Sequence, residues 1–191
     1  MSEKITFYLV RHGEAENNVR FILNSLPEIE TYALTERGRE QAAETAKFLA
    51  TAGADIIFSS PIRRAKETAE IIAATVKLPV RCDDRLCEAG MGVFNGKSQQ
   101  ELLEKYPAAE ERISPDPADD VESFIDIRGR LKSFLDDVKK ECAGKKAIVV
   151  SHGDTLEQLH GILTNEAPGR SATGWYPQKG SCTAVVWQSG N

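Results

Sequence analysis

Three segments of this 191-residue chain end in side chains suited to holding an anion. The stretch "ITFYLVRHGEAENN" (5–18) runs six mostly apolar residues into Arg11, His12 and Gly13. "ADIIFSSPIRRAKETA" (54–69) delivers Ser59 and Ser60, then Arg63 and Arg64. "KAIVVSHGD" (146–154) delivers Ser151, His152, Gly153 and Asp154. Two of the three histidines thus occupy equivalent positions, each followed by a glycine that lets backbone approach a ligand closely.

The chemistry these residues share is that of phosphate. An arginine fork matches phosphate oxygens in pairs. Arg63 and Arg64 fall in the first turn of an expected helix, where the macrodipole disfavours cations unless an anion is held there. An imidazole that is neutral near pH 7 can attack phosphorus, while arginines and a second histidine neutralise the equatorial oxygens. A carboxyl beside a dianionic phosphate has its pKa raised and can protonate the leaving alkoxide. On this ground Arg63 and Arg64 remain equal candidates.

Other chemistries have less support. Gly96-Lys97-Ser98 occurs, but Met91 stands where the first glycine of a P-loop's Gly-x-x-x-x-Gly-Lys-Ser/Thr pattern would be, so the pattern is incomplete, and no Gly-x-Ser-x-Gly elbow marks a serine hydrolase. "GMGVFNG" (90–96) lacks dinucleotide-binding spacing. Two alternatives stay open: a metallohydrolase with His12, Glu14, His152 and Asp154 as ligands, and a non-catalytic module that binds a phospho-ligand. His160, beside Leu159 and four residues beyond Leu156, reads as structural.

The elements that must position these residues alternate between short β-rich runs and longer helical patterns, which predicts an α/β sheet with crossover helices. Strands are expected at 5–10, 55–59, 79–83, 146–151 and 181–188. One helix takes Thr35 as N-cap and buries Ala42, Ala46 and Leu49, with Gly53 as its stop. The next takes Ser60 as N-cap with Pro61 at its first position and buries Ile62, Ala65, Ala69 and Ile72. Ser98 and Glu101 form a capping box for a short helix ending before Pro107. "YPAAEERISPDPADD" (106–120) reads as a surface excursion with at most a short helical turn. A long amphipathic helix follows from Asp119 or Asp120 to Ala143, and "TLEQLHGILTN" (155–165) supplies the last. In such sheets ligands bind beyond the carboxyl ends of the strands, where all three polar segments end.

The length suits one domain over 1–191. The net charge of −5 comes from dispersed acids and bases, so a nucleic-acid partner is not expected. The first apolar run is too short for a signal peptide, and no segment approaches membrane-spanning length, so a soluble, cytoplasmic protein is expected. Cys82, Cys87, Cys142 and Cys182 lack zinc-site spacing and read as reduced structural thiols. No cofactor or metal is implied, and oligomeric state is not legible.

Taken in order, "RHGEAENN", "SSPIRRAKETA", "LCEAGMGVFNG" and "VSHGD" resemble the histidine phosphatase superfamily, the phosphoglycerate mutase-like group, from about residue 5 to residue 188. The resemblance implies a three-layer α/β/α fold around a mostly parallel sheet. It implies His12 as the phosphorylated nucleophile, with Arg11, Asn18, Arg64, His152 and Gly153 around the phosphate. It selects Arg64 over Arg63 from the Ser-Pro-x-x-Arg-Ala pattern, and Glu88 as proton donor from Leu-x-Glu. Two departures stand out. The loop 19–34 lacks the Arg-x-x-Gly signpost common in the group, leaving Asn24 or Ser25 to supply a donor there. Mutase members carry Glu-Arg-His-Tyr-Gly at the donor, whereas Ala89 and Gly90 follow Glu88 here. A phosphatase acting on a small phosphoester is therefore expected rather than a mutase, with selectivity in loops 19–34 and 106–121.

Overall fold

The computed structural model describes residues 4–188. Its five strands are β1 (Lys4–Arg11), β2 (Ile56–Ser59), β3 (Val80–Cys82), β4 (Lys146–Ser151) and β5 (Cys182–Gln188). They form one sheet in the order β3-β2-β4-β1-β5, parallel throughout except for β5, which runs antiparallel to β1. The helices are α1 (Glu16–Val19), α2 (Glu36–Leu49), α3 (Arg63–Val76), α4 (Gln99–Lys105), α5 (Phe124–Glu141) and α6 (Gly153–Leu163).

Side chains alternate across a strand, so each strand feeds two cores. Ile5, Phe7 and Leu9 of β1 join Ile56, Phe58, Ala147 and Val149 under α5 and α6, where Phe58 meets Phe134 edge-on at 5.3 Å. Tyr8 and Val10 join Ile57, Ile148 and Val150 under Ala46 and Leu49 of α2 and Ala65, Ala69 and Ile72 of α3. Helices therefore cover both faces, and the chain has the three-layer α/β/α architecture with a mostly parallel sheet. Near-continuous apolar runs such as "AIVV" are what a parallel strand buried on both faces requires.

Several helix starts differ from the sequence expectation. Thr35 does cap α2, accepting the Gly38 N–H at 3.0 Å. Ser98 and Glu101 do form the capping box of α4. Ser60, however, does not cap α3: Ile62 is the N-cap residue and the helix begins at Arg63. The Ser60 hydroxyl accepts the Ile62 N–H at 3.2 Å across the Pro61 bend and lies 2.9 Å from His152 Nε2, so it serves the bend and the histidine instead. The long helix starts at Phe124, not at Asp119 or Asp120, because Ser123 accepts the Asp126 N–H at 3.0 Å. Asp119 is held by the Tyr106 hydroxyl at 2.6 Å, and Asp120 adopts φ +51°.

Register explains why the polar segment ends converge. Arg11 on β1 pairs with Ser151 on β4, and Ser59 on β2 pairs with Val150. His12 and His152 each lie one residue beyond paired positions on neighbouring parallel strands, and their rings meet at 5.1 Å. Among the described residues, no helix is long and apolar enough to cross a membrane.

Candidate active site

The strand ends form the floor of a cleft of about 280 Å³ whose lining includes Arg11, His12, Asn18, Arg64, Glu88 and Asp154. His12 is buried, and its Nδ1 lies 2.7 Å from the Gly13 carbonyl oxygen. A carbonyl only accepts, so Nδ1 carries the proton. Arg64 Nε donates to His12 Nε2 at 3.1 Å, and a guanidinium only donates, so Nε2 carries a lone pair. Burial, followed by the charges of Arg64 and Arg11, holds the His12 pKa well below its ordinary value. The imidazole is neutral at pH 7, with its free electron pair on Nε2.

Five buried nitrogens in this region lack hydrogen-bond partners: Arg11 Nε, Arg64 Nη1, Arg112 Nε and Nη2, and His152 Nδ1. An unpaired buried donor costs about 1–3 kcal/mol, so this concentration of polar atoms suits an anionic ligand. The remaining valences are fixed by the fold. Arg64 Nη2 donates to the Asn24 carbonyl at 2.9 Å, and Arg11 Nη1 donates to the Pro177 carbonyl at 2.8 Å. Burial, then the Arg64 charge, also holds the His152 pKa well below its ordinary value.

Glu88 lies between two influences. Burial and then the charge of Asp154 raise its pKa, against the opposing pull of Arg64. Asp154 itself ionises easily. Burial pushes it up, but Arg112 at 2.6 Å and Arg170 at 3.3 Å bring its pKa down to about 2. Two neighbouring carboxyls are thus driven apart, one toward the protonated form and one toward the carboxylate.

Arg63 and Arg64, indistinguishable from composition, part ways here. Arg64 is buried against His12, whereas Arg63 is half-exposed and pairs with Glu67 at 2.8 Å. Asn18 lines the cleft, but its Oδ1 accepts the Ala15 N–H at 3.1 Å, leaving its amide nitrogen as the half able to donate inward. Asn24 and Ser25 are committed elsewhere. Asn24 Nδ2 spends both hydrogens on Glu28 and the Glu30 carbonyl; Ser25 Oγ accepts the Met91 N–H, and Ser25 lies outside the cleft lining. Both brace the loop.

The glycines after the histidines are required by the packing of the protein itself. A Cβ on Gly13 would lie 2.2 Å from the Gly38 carbonyl oxygen, and one on Gly153 would lie 2.1 Å from the Tyr176 hydroxyl. The metal-ligand set His12, Glu14, His152 and Asp154 does not assemble. Glu14 turns to Thr35 at 2.9 Å, and Asp154 is taken by its arginines and by the Tyr176 hydroxyl at 3.2 Å. His160 stacks on Trp175 at 4.1 Å, away from the cleft lining.

Sequence reasoning missed Arg112, Arg170, Tyr176 and Lys179, all of which line the cleft. The 106–120 excursion is more than a surface loop: its 3₁₀ turn Ala109–Ile113 buries Arg112 against Asp154. Nothing about an arginine among acids and prolines signals this. Asp154 itself is legible from the sequence, two residues beyond His152 at a ligand-facing strand end; its arginine partners are not.

Residues 7–191 match the profile of the histidine phosphatase superfamily (branch 1). The chain is 34% identical over 163 residues to phosphoserine phosphatase 1 of Hydrogenobacter thermophilus, covering 83% of this chain and 76% of that protein. It is 30% identical over 172 residues to a 2,3-bisphosphoglycerate-dependent phosphoglycerate mutase of Thermoplasma acidophilum, covering 90% of this chain and 76% of that one. Among solved structures, Bacillus stearothermophilus YhfR superposes with a TM-score of 0.77 at 28% identity, covering 94% of this chain and 90% of that chain. The order of motifs along the chain, the strand register that gathers them and these relatives agree: the chain belongs to the histidine phosphatase superfamily.

Proposed function

We propose that the protein is a phosphomonoesterase that hydrolyses a small phosphoester through a phosphohistidine on His12. The observation that carries this reading is the His12 tautomer: Nδ1 is tied to the Gly13 carbonyl, so the electron pair is on Nε2, beside Arg64. Arg11, Arg64, His152 and the Asn18 amide receive the phosphoryl oxygens. In the first step Nε2 attacks phosphorus, the ester P–O bond breaks, and the Glu88 carboxyl gives its proton to the departing alkoxide. In the second step water attacks the phosphohistidine and returns a proton to Glu88. The N–P bond breaks with its electron pair returning to Nε2, and inorganic phosphate leaves. Preorganised cations around the equatorial oxygens supply most of the rate enhancement.

Hydrolysis is favoured over mutase chemistry by the segment after Glu88. Ala89 is buried, and the Gly90 N–H donates to Glu122 at 2.9 Å, so this segment brings no cation for a second substrate group. Incubation with a ³²P-labelled phosphoester should give an acid-labile, alkali-stable label on the native protein and none on His12→Ala. Undiminished turnover in His12→Ala would overturn the reading.

A further inference from the structure

We infer that the alcohol released in this reaction is uncharged and largely apolar, and that Phe21 and Leu103 form the wall that selects it. The inference rests on the phosphomonoesterase reading above and names its substrate class.

Phe21 and Leu103 both line the cleft, yet they are 69% and 46% exposed. With His12 buried at the floor, they stand at the solvent end, where the leaving group of a phosphoester must extend. Phe21 also adopts φ +56°, a left-handed conformation uncommon for a bulky side chain. Its backbone is held there from both sides. The Gln99 N–H donates to the Phe21 carbonyl at 2.8 Å, the Ile22 N–H donates to the Asn17 carbonyl at 2.9 Å, and Ile22 bridges to Ser98. Contacts with α4 therefore fix an unfavourable backbone whose result is an aromatic ring presented at the cleft. Strain of this kind concentrates at ligand-binding positions. Leu103 is carried by α4 itself, so both parts of the wall belong to one braced unit.

Charge elsewhere in the cleft argues against a second anion on the alcohol. Arg112 is bound to Asp154 at 2.6 Å, and Arg170 is bound to Glu157 at 2.6 Å and to Asp154 at 3.3 Å. Two cations meet two buried carboxylates and their charges cancel. A carboxylate or second phosphate at Arg112 would meet a guanidinium whose charge Asp154 already offsets and would sit beside that buried carboxylate. The unpaired Nε and Nη2 of Arg112 remain hydrogen-bond donors, and with Asp154 alongside a neutral oxygen meets them without like-charge repulsion. Free cationic charge is concentrated at the phosphoryl end, on Arg11, Arg64 and Lys179.

The test compares kcat/KM for ethyl phosphate, hexyl phosphate, phosphoserine and 3-phosphoglycerate. Ethyl and hexyl phosphate release primary alkanols of similar basicity, so their ratio reports apolar contact. Hexyl phosphate should exceed each of the other three by at least about tenfold, less than full burial of four methylenes would give. Phe21→Ala and Phe21→Gly should each lower the hexyl-to-ethyl ratio about fivefold, the glycine variant doing so without backbone strain. A ratio near one in the native protein, a preference for phosphoserine or 3-phosphoglycerate, or a ratio unmoved in both variants overturns this inference while leaving the phosphatase reading intact. Hydrolysis of none of the four, with no label on His12, overturns both.

Discussion

Arg64 Nε donates a hydrogen bond to His12 Nε2 across 3.1 Å, so the base of the guanidinium fork rests on the electron pair proposed to attack phosphorus. The same arginine braces itself on the Asn24 carbonyl through Nη2 and leaves Nη1 unpaired. In the resting protein this bond orients His12, which burial and then the charges of Arg64 and Arg11 keep neutral. In the proposed reaction the entering phosphoryl oxygens are the better acceptors and the lone pair is released, so that one side chain would serve as both guard and counter-charge.

Removing that side chain should be costly in rate. Arg64→Ala should lower kcat by about 10²–10³-fold, the range seen when one preorganised charge-stabilising donor is lost. Arg63→Ala, which removes only a half-exposed pair with Glu67, should change kcat less than about twofold. Steady-state assays of the two variants side by side check the assignment, and equal effects would contradict it.

The pH–rate profile should carry the signature of two displaced titrations. His12 must be neutral to attack, so activity falls at low pH only as pH drops through its depressed pKa. Glu88 must be protonated to assist the leaving group, so activity falls as pH rises through its elevated pKa. Glu88→Gln should lower kcat and abolish the alkaline limb. A substrate whose alcohol leaves without proton assistance, such as a nitrophenyl ester, should restore much of the rate in that variant.

Asp154 links the site to stability. Its folded pKa of about 2 lies below the unfolded carboxylate value, so its contribution is present above about pH 4 and is lost as pH falls toward 2. The shift corresponds to about 2 kcal/mol. Asp154→Ala leaves Arg112 buried without its partner and should destabilise the fold by about 3–5 kcal/mol. Urea denaturation at pH 7 and at pH 3 checks both parts: the gap between variant and native protein should narrow at the lower pH.

The two glycines should respond differently to alanine. At Gly13 the added Cβ meets the Gly38 backbone, which cannot yield locally, so Gly13→Ala should lose several kcal/mol, roughly the cost of severe overpacking. At Gly153 the obstacle is the Tyr176 hydroxyl, the far end of a side chain. Gly153→Ala should cost less, and Tyr176→Ala in the same chain should relieve it. Thermal melts of the three variants separate the cases.

How much was legible in the sequence follows from how local each signal is. The α/β alternation, the five strands, the caps at Thr35 and Ser98, and the polar residues at the ends of β1 and β4 all depend on neighbours within a few positions, so periodicity and cap chemistry disclosed them. Motif order then pointed to His12, Glu88 and Arg64. The helix start at Ser60 went astray because its hydroxyl is engaged by His152, far away in the chain, and the start at Asp119 because the local cap at Ser123 outcompetes it while Tyr106 holds Asp119 outside the helix. Arg112 reaches Asp154 across 42 residues, and Arg170 and Tyr176 return to the cleft from a loop with no pattern. Which nitrogen of His12 keeps its electron pair, what the inward arginine rests on, and in which direction each carboxyl's pKa is driven are set by packing and by the sum of distant charges. Those quantities exist only once the chain has folded, and the tertiary structure alone decided them.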